Sequence, residues 1–281
     1  MFTISDIRVR ARQTLADTPG IYQLAIIPVL ISVLVQLISF SGNSATNLSL
    51  EELASPSYIV STSLFPLFYG LLVGLLHLSI MWTIFNLIKG RKKETTFRDS
   101  LVIFNLQNFG KMFRTFLLKG FLLFLWGLLF YFGLSLLLGV IIILAAIILT
   151  TGLVDPSALP QDVLATLGTL FIVGFILAII GLFIYIPQYY AYSQAEYILF
   201  EQLDRDEYTG AFSIIKSSRQ LMKGYKFKRF LLDLSFIGWF ILVSITFGLA
   251  GLYVWPYHYA AQIHFYEEIL DDYASKLNYD Y

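Results

Sequence analysis

The sequence contains no cysteine among its 281 residues, so disulfide bonds and thiolate metal sites are excluded. Charged residues are also scarce: they make up 14% of the chain, against about 25% in soluble domains. Hydrophobic residues account for 57%, and the mean hydropathy is +0.72. A water-soluble chain of this length could not bury so much apolar surface. We therefore expect an all-α integral membrane protein.

Several functional motifs are missing as well. The chain has no Walker A motif and no HExxH motif, which argues against an ATPase, a kinase and a zinc hydrolase. Its only histidines are His77, His258 and His264. The last two are six residues apart and point to different faces of a helix, so neither a metal site nor a cofactor is predicted. The first twenty residues are mixed and charged, and no cleavable signal peptide is expected.

Long apolar runs predict the membrane spans, because about 20 helical residues cross a bilayer. The last run has room for two spans, and Gly248 and Gly251 near its middle predict a bend near residues 247–252. One integral membrane domain with six spans is predicted, at residues 21–40, 58–88, 117–150, 163–200, 230–247 and 252–270. If the last run formed a single span, the protein would have five.

The basic residues predict the orientation. All 19 lysines and arginines lie before the first predicted span, between the second and third, between the fourth and fifth, or after the sixth. The other two loops, residues 41–57 and 151–162, have none. The positive-inside rule then places both termini in the cytoplasm. Residues 1–20 are predicted to form a cytoplasmic amphipathic helix, and residues 271–281 a cytoplasmic tail.

Three cytoplasmic segments have apolar residues at helical spacing and are predicted to lie in the membrane interface as amphipathic helices. The first stripe is Ile4, Ile7, Ala11 and Leu15, and the second is Phe97, Leu101 and Phe104. The third is Phe212, Ile215 and Met222, with Arg219 at the same step. Thr3 or Ser5 could cap the first helix. A unit of one interfacial helix and two spans would then occur three times. The alternative is an ordinary helical bundle with basic loops.

Ionisable residues inside spans mark candidate sites. Asp233 either binds a proton or cation, or pairs with Lys226 or Arg229 at the cytoplasmic interface, and pairing is favoured. Glu196 ends the predicted fourth span beside several tyrosines and is assigned to the interface. The predicted sixth span either lines an internal cavity or lies shallowly in the interface. The candidate cavity or ion-pair residues are Glu196, Asp233, His258 and His264.

An intramembrane hydrolase is one enzymatic hypothesis. A Gly-x-Ser sequence ends at Ser135, and His258 on a later span could activate the hydroxyl. The motif is short and common in helices, and no second motif supports it. No catalytic residue is therefore assigned, and the protein is not expected to be an enzyme.

Two stretches carry a family resemblance. The sequence "SSRQLMKGYKFKRFLLDLSFIGWFIL" begins at Ser217, and "RARQTL" begins at Arg10. The first, followed by Pro256 and Tyr257, resembles the C-terminal signature of the domain-of-unknown-function family nine-seven-five, and the second resembles that family's opening helix. The "FGLAG" sequence from Phe247 departs from the family's denser glycine bend. The resemblance implies a multi-pass membrane protein of bacterial, Gram-positive origin, and it implies no reaction.

These features favour a non-catalytic accessory or scaffold protein that acts on lipids or on other membrane proteins. Its basic segments predict attraction to anionic lipid on the cytoplasmic side rather than to nucleic acid, because topology already explains the charge. The candidate lipid-interface residues are Arg8, Arg12, Lys223, Lys226, Lys228 and Arg229. The alternative is a small transporter or lipid exporter with a polar cavity between the fourth and sixth spans. No oligomeric state is predicted.

Overall fold

A computed structural model describes residues 2–42, 56–152 and 159–279. Over these residues the regular elements are helices and none is a strand, which confirms the all-α prediction. The α-helices, in chain order, are α1 (Ile4–Asp17), α2 (Ile26–Gly42), α3 (Pro56–Ile88), α4 (Phe109–Thr151), α5 (Gln161–Ala191), α6 (Ala195–Asp204), α7 (Ala211–Leu221), α8 (Lys226–Leu234), α9 (Ile237–Ile245) and α10 (Gly251–Tyr279). Two 3₁₀ helices, Ile21–Ala25 and Phe97–Asn105, precede α2 and α4.

Four segments of the described chain are long and apolar enough to cross a membrane: Ile21–Ser39, Leu64–Ile88, Phe109–Thr150 and Gln161–Asp204. They overlap the first four predicted spans. The count of six is not confirmed, because the predicted fifth span is divided into the short helices α8 and α9. The predicted sixth span lies within α10, which carries many polar and charged side chains.

The chain reverses direction between α9 and α10, inside the region where the sequence predicts a bend. Phe247 and Gly248 both have positive φ there, at 52° and 93°. The two helices then run antiparallel: the ring of Phe236 lies 4.8 Å from that of Tyr257, and the ring of Trp239 lies 5.3 Å from that of Tyr253. The α8–α9 segment therefore follows α10 closely despite its break at residues 235–236.

The short helices pack inside the protein in a regular order. The 3₁₀ helix Phe97–Asn105 packs on α3, where the Ile103 N–H donates to Ser79 Oγ (3.1 Å). Helix α7 packs on α6, and Ser218 Oγ accepts from Gln194 N–H (3.2 Å). Each of these helices thus contacts the helix before it in the chain. Helix α1, the first helix described, packs instead on α10, the last one described.

The apolar stripe of α1 does not face the membrane interface, as the sequence predicted, but the protein core. Its stripe residues Ile7, Ala11 and Leu15 are buried in the protein core. They face α10, and Thr14 Oγ1 lies 2.9 Å from His264 Nε2 across the same contact. In α7, Ile215 and Met222 are likewise buried, whereas Phe212 is exposed. The apolar faces of α1 and α7 are therefore largely covered by protein. Of the three predicted stripes, only that of the 3₁₀ helix Phe97–Asn105 is exposed at all of its residues.

The first helix begins at the predicted cap. Thr3 accepts a hydrogen bond from the Asp6 N–H, and the Asp6 carboxylate accepts one from the Thr3 N–H, both at 3.2 Å. Hydrogen bonds from the side chain and backbone of Thr3 hold the pKa of the Asp6 carboxyl below its ordinary value. The 3₁₀ helix Phe97–Asn105 begins in the same way, because the Asp99 carboxylate accepts a hydrogen bond from the Thr96 N–H (2.8 Å). A Thr-x-x-Asp sequence thus starts both helices.

Helices α4 and α5 form a long hairpin held by close backbone contacts. A Cβ atom on Gly133 would lie 2.3 Å from the Ala178 nitrogen, and one on Gly181 would lie 2.3 Å from the Phe130 nitrogen. The absence of a side chain therefore permits this approach. The residues of α4 that pack on the main core end at Leu123. Farther along, α4 and α5 bury residues mainly toward each other, and most other side chains are exposed.

Candidate functional site

A polar pocket lies where the base of the α4–α5 hairpin meets α8, α9 and α10. Its volume is about 460 Å³, within the range of about 300–1,000 Å³ typical of small-molecule sites. Four charged side chains line it: Lys119, Glu196, Arg229 and Asp233. Lys119 is the last basic residue before the apolar part of α4. The pocket therefore lies near the boundary between the polar and apolar parts of the protein.

The first charged group in the pocket is built on α8. Arg229 and Asp233 are one helical turn apart, and Arg229 Nη1 donates to Asp233 Oδ1 over 2.5 Å. Asp233 Oδ1 also lies 3.1 Å from His258 Nε2 on α10. Asp233 therefore pairs with Arg229, as the favoured alternative predicted, and it also lines the pocket. Binding of a proton or cation by Asp233 stays a prediction.

The second charged group joins two helices that are distant in the sequence. Lys119 Nζ on α4 donates to the two carboxylate oxygens of Glu196 over 2.6 and 2.7 Å. Glu196 lies in the first turn of α6, after a break at residues 192–194 that ends α5. The tyrosines beside it do not form an exposed aromatic belt. Tyr190, Tyr192 and Tyr197 are buried, and only Tyr189 is exposed.

The polar residues of α10 between Tyr257 and Tyr266 are buried in the protein interior, and several of them line the pocket. His258 and Gln262 are buried and line the pocket. Gln262 Oε1 accepts from Tyr197 OH (2.8 Å), and Gln262 Nε2 lies 3.1 Å from His258 Nδ1. Tyr259 OH reaches His77 Nδ1 on α3 (2.9 Å). This helix carries a hydrogen-bonded network through the core.

Arg229 has a buried donor atom without a partner. Its side chain is 3% exposed, and among the described residues its Nε atom has no hydrogen-bond partner. The guanidinium also lies over the Phe265 ring, 6.0 Å from the centroid. A buried donor without an acceptor costs about 1–3 kcal/mol, so its presence next to a pocket points to a ligand. Two buried oxygens, Gln188 Oε1 and Gln194 Oε1, also have no hydrogen-bond partner among the described residues.

The remaining lipid-interface candidates have different surroundings. Arg8 Nε donates to Tyr257 OH (3.2 Å), and Lys228 Nζ lies 4.3 Å from the centroid of the Phe2 ring. Arg12 and Lys223 are exposed, and Lys226 is half-buried. Arg229, by contrast, is buried in the pocket. Whether any of these residues meets lipid stays a prediction.

The other candidates are not brought together as a reactive site. Ser135 is exposed on α4 and donates to Phe132 O (2.8 Å), while His258 is buried beside Asp233 and Gln262. The structure therefore does not pair Ser135 with His258. His264 contacts Thr14 and Glu267 outside the pocket. Within the described ranges, no group of three or more His, Asp or Glu residues could hold a metal ion.

Sequence reasoning missed Lys119 as a site residue. The only signal was its position, as a single cation at the start of a long apolar run. Its partner Glu196 is 77 residues away, so no local pattern could reveal the pair. Ser193, in the turn that follows α5, also lines the pocket and was not predicted.

Four long apolar helical segments, together with a hydrogen-bonded polar core, indicate a helical membrane protein. The chain belongs to the family described as "Protein of unknown function (DUF975)", whose profile matches residues 1–272. This match confirms the resemblance that the sequence signature indicated. No curated protein matches the chain, and no solved structure matches it.

Proposed function

We propose that this protein is a small transporter of the bacterial cytoplasmic membrane, with the polar pocket as its solute-binding site. The pocket itself is the observation that carries the proposal, because it joins four charged side chains and a buried histidine in a largely apolar chain. Charged groups within membrane-spanning segments are expensive and usually mark a transport path or a binding site. A scaffold that acts through its surface would not need them.

The topology proposed for this transporter has six crossings with both termini in the cytoplasm. In it, α8 and α9 together form one broken crossing and α10 the next. The basic residues support this orientation, since the two loops assigned to the outside contain none. Broken helices beside a polar site are a recurring feature of transporters.

A threefold repeat is part of the same proposal. Each unit would contain one short helix and two crossings, as in transporters built from parallel repeats. Two observations support it. The first is the order of packing, in which each short helix contacts the preceding unit and α1 closes the ring on α10. The second is the Thr-x-x-Asp start that α1 shares with the 3₁₀ helix.

Cysteine labelling tests this function directly, because the native chain has no cysteine. We expect Ser193→Cys to react with a charged, membrane-impermeant thiol reagent, since Ser193 lines a polar pocket that water should fill. The matched control is Ser135→Cys, which lies within an apolar helix and should stay unlabelled. Lys223→Cys, at an exposed position outside the proposed spans, marks the cytoplasmic side.

Labelling is measured in intact cells and in inside-out vesicles by the mass of the modified protein. A transporter exposes its site to both sides in turn, so Ser193→Cys should react in both preparations, while Lys223→Cys should react only in vesicles. If Ser193→Cys reacted in neither cells nor vesicles, while Lys223→Cys was fully labelled in vesicles, a hydrated site would be ruled out.

A second function, attachment to anionic lipid at the membrane surface, is favoured by a separate observation. Two aromatic side chains, Phe212 and Phe227, are 69% and 68% exposed close in sequence to the lysines of the α7–α8 region. Exposed aromatic and basic residues together are typical of a surface that meets lipid headgroups. This surface would recruit or retain lipids without any pocket.

Neutralisation of three lysines tests the surface function. In the variant Lys223→Gln/Lys226→Gln/Lys228→Gln, the affinity for a fluorescent phosphatidylglycerol in detergent micelles should fall. Each lysine near an anionic surface contributes about 1 kcal/mol, so a loss of about 100-fold is expected at low salt. The difference from the wild type should shrink as salt is added. Equal affinities of the variant and the wild type at low salt would contradict this function.

A further inference from the structure

The free donor of Arg229 restricts the chemistry of any ligand in the pocket. Nη1 is already bonded to Asp233, while Nε points an N–H into buried surroundings with no acceptor among the described residues. Asp233 holds one side of the guanidinium, which also lies over the Phe265 ring, 6.0 Å from its centroid. An arginine held in this way is arranged to bind an oxyanion, and phosphate is among the groups it recognises best.

Lys119 supplies a second donor to the same pocket. Its ammonium group has three N–H bonds, and the two oxygens of Glu196 accept at most two of them. One N–H therefore remains for a ligand. Ser193 lines the same pocket, although its hydroxyl already donates to Tyr190 O (2.9 Å).

The charge balance of the pocket favours a phosphodiester over free phosphate. Lys119 is balanced by Glu196, and Arg229 by Asp233. A phosphate monoester or inorganic phosphate would bring a charge of about −1.5 to −2 at neutral pH into this low-dielectric site. A phosphodiester brings a single negative charge. If its headgroup also carries an ammonium group, the pocket stays neutral overall.

The surroundings of the pocket favour an amphiphile. Tyr189, which lines the pocket near the end of α5, and Phe230, which follows Arg229 on α8, are 41% and 37% exposed. Above them, α5 presents exposed apolar side chains such as Phe183 and Ile186. The outer part of the hairpin packs on itself rather than on the remaining helices, which leaves this apolar flank open to acyl chains.

From these observations we propose that the pocket binds the phosphodiester headgroup of a phospholipid, with Arg229 as the phosphate-binding residue. This inference rests on the proposed transport site and names its substrate class. The lipid enters from the side, its headgroup lies between Arg229 and Lys119, and its chains remain along the hairpin. Glu196 and Asp233 orient the two cations and accept from an amino headgroup.

The test is lipid binding by the purified full-length protein in detergent, measured with a fluorescent phosphatidylethanolamine as the probe. Two variants are compared with the wild type. Arg229→Lys keeps a cation opposite Asp233 but removes the Nε donor, and Arg229→Gln/Asp233→Asn removes both charges together. Each should bind the probe at least about tenfold more weakly, the loss expected for one charge-assisted hydrogen bond. Lys93→Gln, which changes an exposed cation outside the pocket, should bind like the wild type.

Competition experiments identify which part of the ligand the pocket recognises. Unlabelled phosphatidylethanolamine should displace the probe, whereas diacylglycerol, which lacks phosphate, and inorganic phosphate should not. Displacement by diacylglycerol would mean that the site recognises the acyl chains rather than the phosphate. Displacement by millimolar inorganic phosphate would place the source of the anion in solution, and either result would overturn the proposal.

The variants and the labelling experiment separate the two proposals. Unchanged probe binding in folded Arg229→Lys would also overturn the role of Arg229. If Arg229→Lys binds the probe like the wild type but Ser193→Cys is labelled from both sides, the transport site stands and only its phospholipid specificity fails. If Ser193→Cys is never labelled, the transport function itself fails.

Discussion

Replacing Arg229 by leucine should lower the free energy of unfolding by about 3 kcal/mol or more, the largest effect we expect from a single substitution in this chain. The reason is electrostatic. The Asp233 carboxylate, with 19% of its side chain exposed, would lose its 2.5 Å cationic partner and keep its contact with His258. An unpaired buried charge is poorly stabilised in a medium of low dielectric constant. The measurement is denaturant unfolding in mixed micelles, followed by tryptophan fluorescence.

A double variant distinguishes this cause from a simple loss of packing. Arg229→Leu/Asp233→Leu removes both charges and should recover a large part of the lost stability, because an ion pair can often be replaced by apolar groups at little net cost. Lys226→Leu, on the same helix but only half-buried, should change stability by less than about 0.5 kcal/mol. A double variant as unstable as Arg229→Leu would contradict the electrostatic explanation.

Alanine at Gly133 or Gly181 should have the second largest effect, a loss of about 1–3 kcal/mol through overpacking. Each new Cβ atom would lie 2.3 Å from a backbone nitrogen of the facing helix, so α4 and α5 would have to move apart. Backbone atoms cannot rotate away as the end of a side chain can. Thermal unfolding in detergent should therefore show a lower midpoint for both variants.

The same hairpin offers matched controls. At Gly139 on α4 and Gly168 on α5, the methyl group of an alanine would have no neighbouring atom within 4 Å among the described residues, so it would meet open space. These two substitutions should leave the midpoint unchanged or raise it slightly, because alanine is the better helix former. Equal losses at all four glycines would show that helix propensity or lipid contact, rather than close approach, decides the outcome.

The two proposed functions use opposite sides of the α8 region. Arg229 faces inward to the pocket, whereas Lys223 and Phe227 are exposed. They therefore predict different responses to salt. Binding at the exposed lysines weakens as salt screens the charges, while a phosphodiester held by a buried arginine is screened much less. Comparison of Arg229→Lys with the triple lysine variant over a range of salt concentrations separates the two.

Local features of the fold were predictable from the sequence. The spacing of four residues between Arg229 and Asp233 predicts their ion pair, and the structure contains it. Thr3 caps α1 as expected, and the chain bends beside Gly248. Each of these depends on residues within about one helical turn, where backbone geometry determines which side chains can meet. Long-range pairs such as Lys119 with Glu196 have no such rule.

By itself, the sequence determined the helical class, the four most apolar helices, the clustering of basic residues and the family. Only the tertiary structure decided which apolar stripes face protein. Ile7 and Leu15 form the same periodic stripe whether they meet lipid or α10, because both surroundings are apolar and periodicity cannot distinguish them. The tertiary structure likewise decided that His258 and Gln262 face inward, since a polar face on a helix gives its direction only when its neighbours are known. Packing around α10 brought these residues, Arg229 and Lys119 into one pocket.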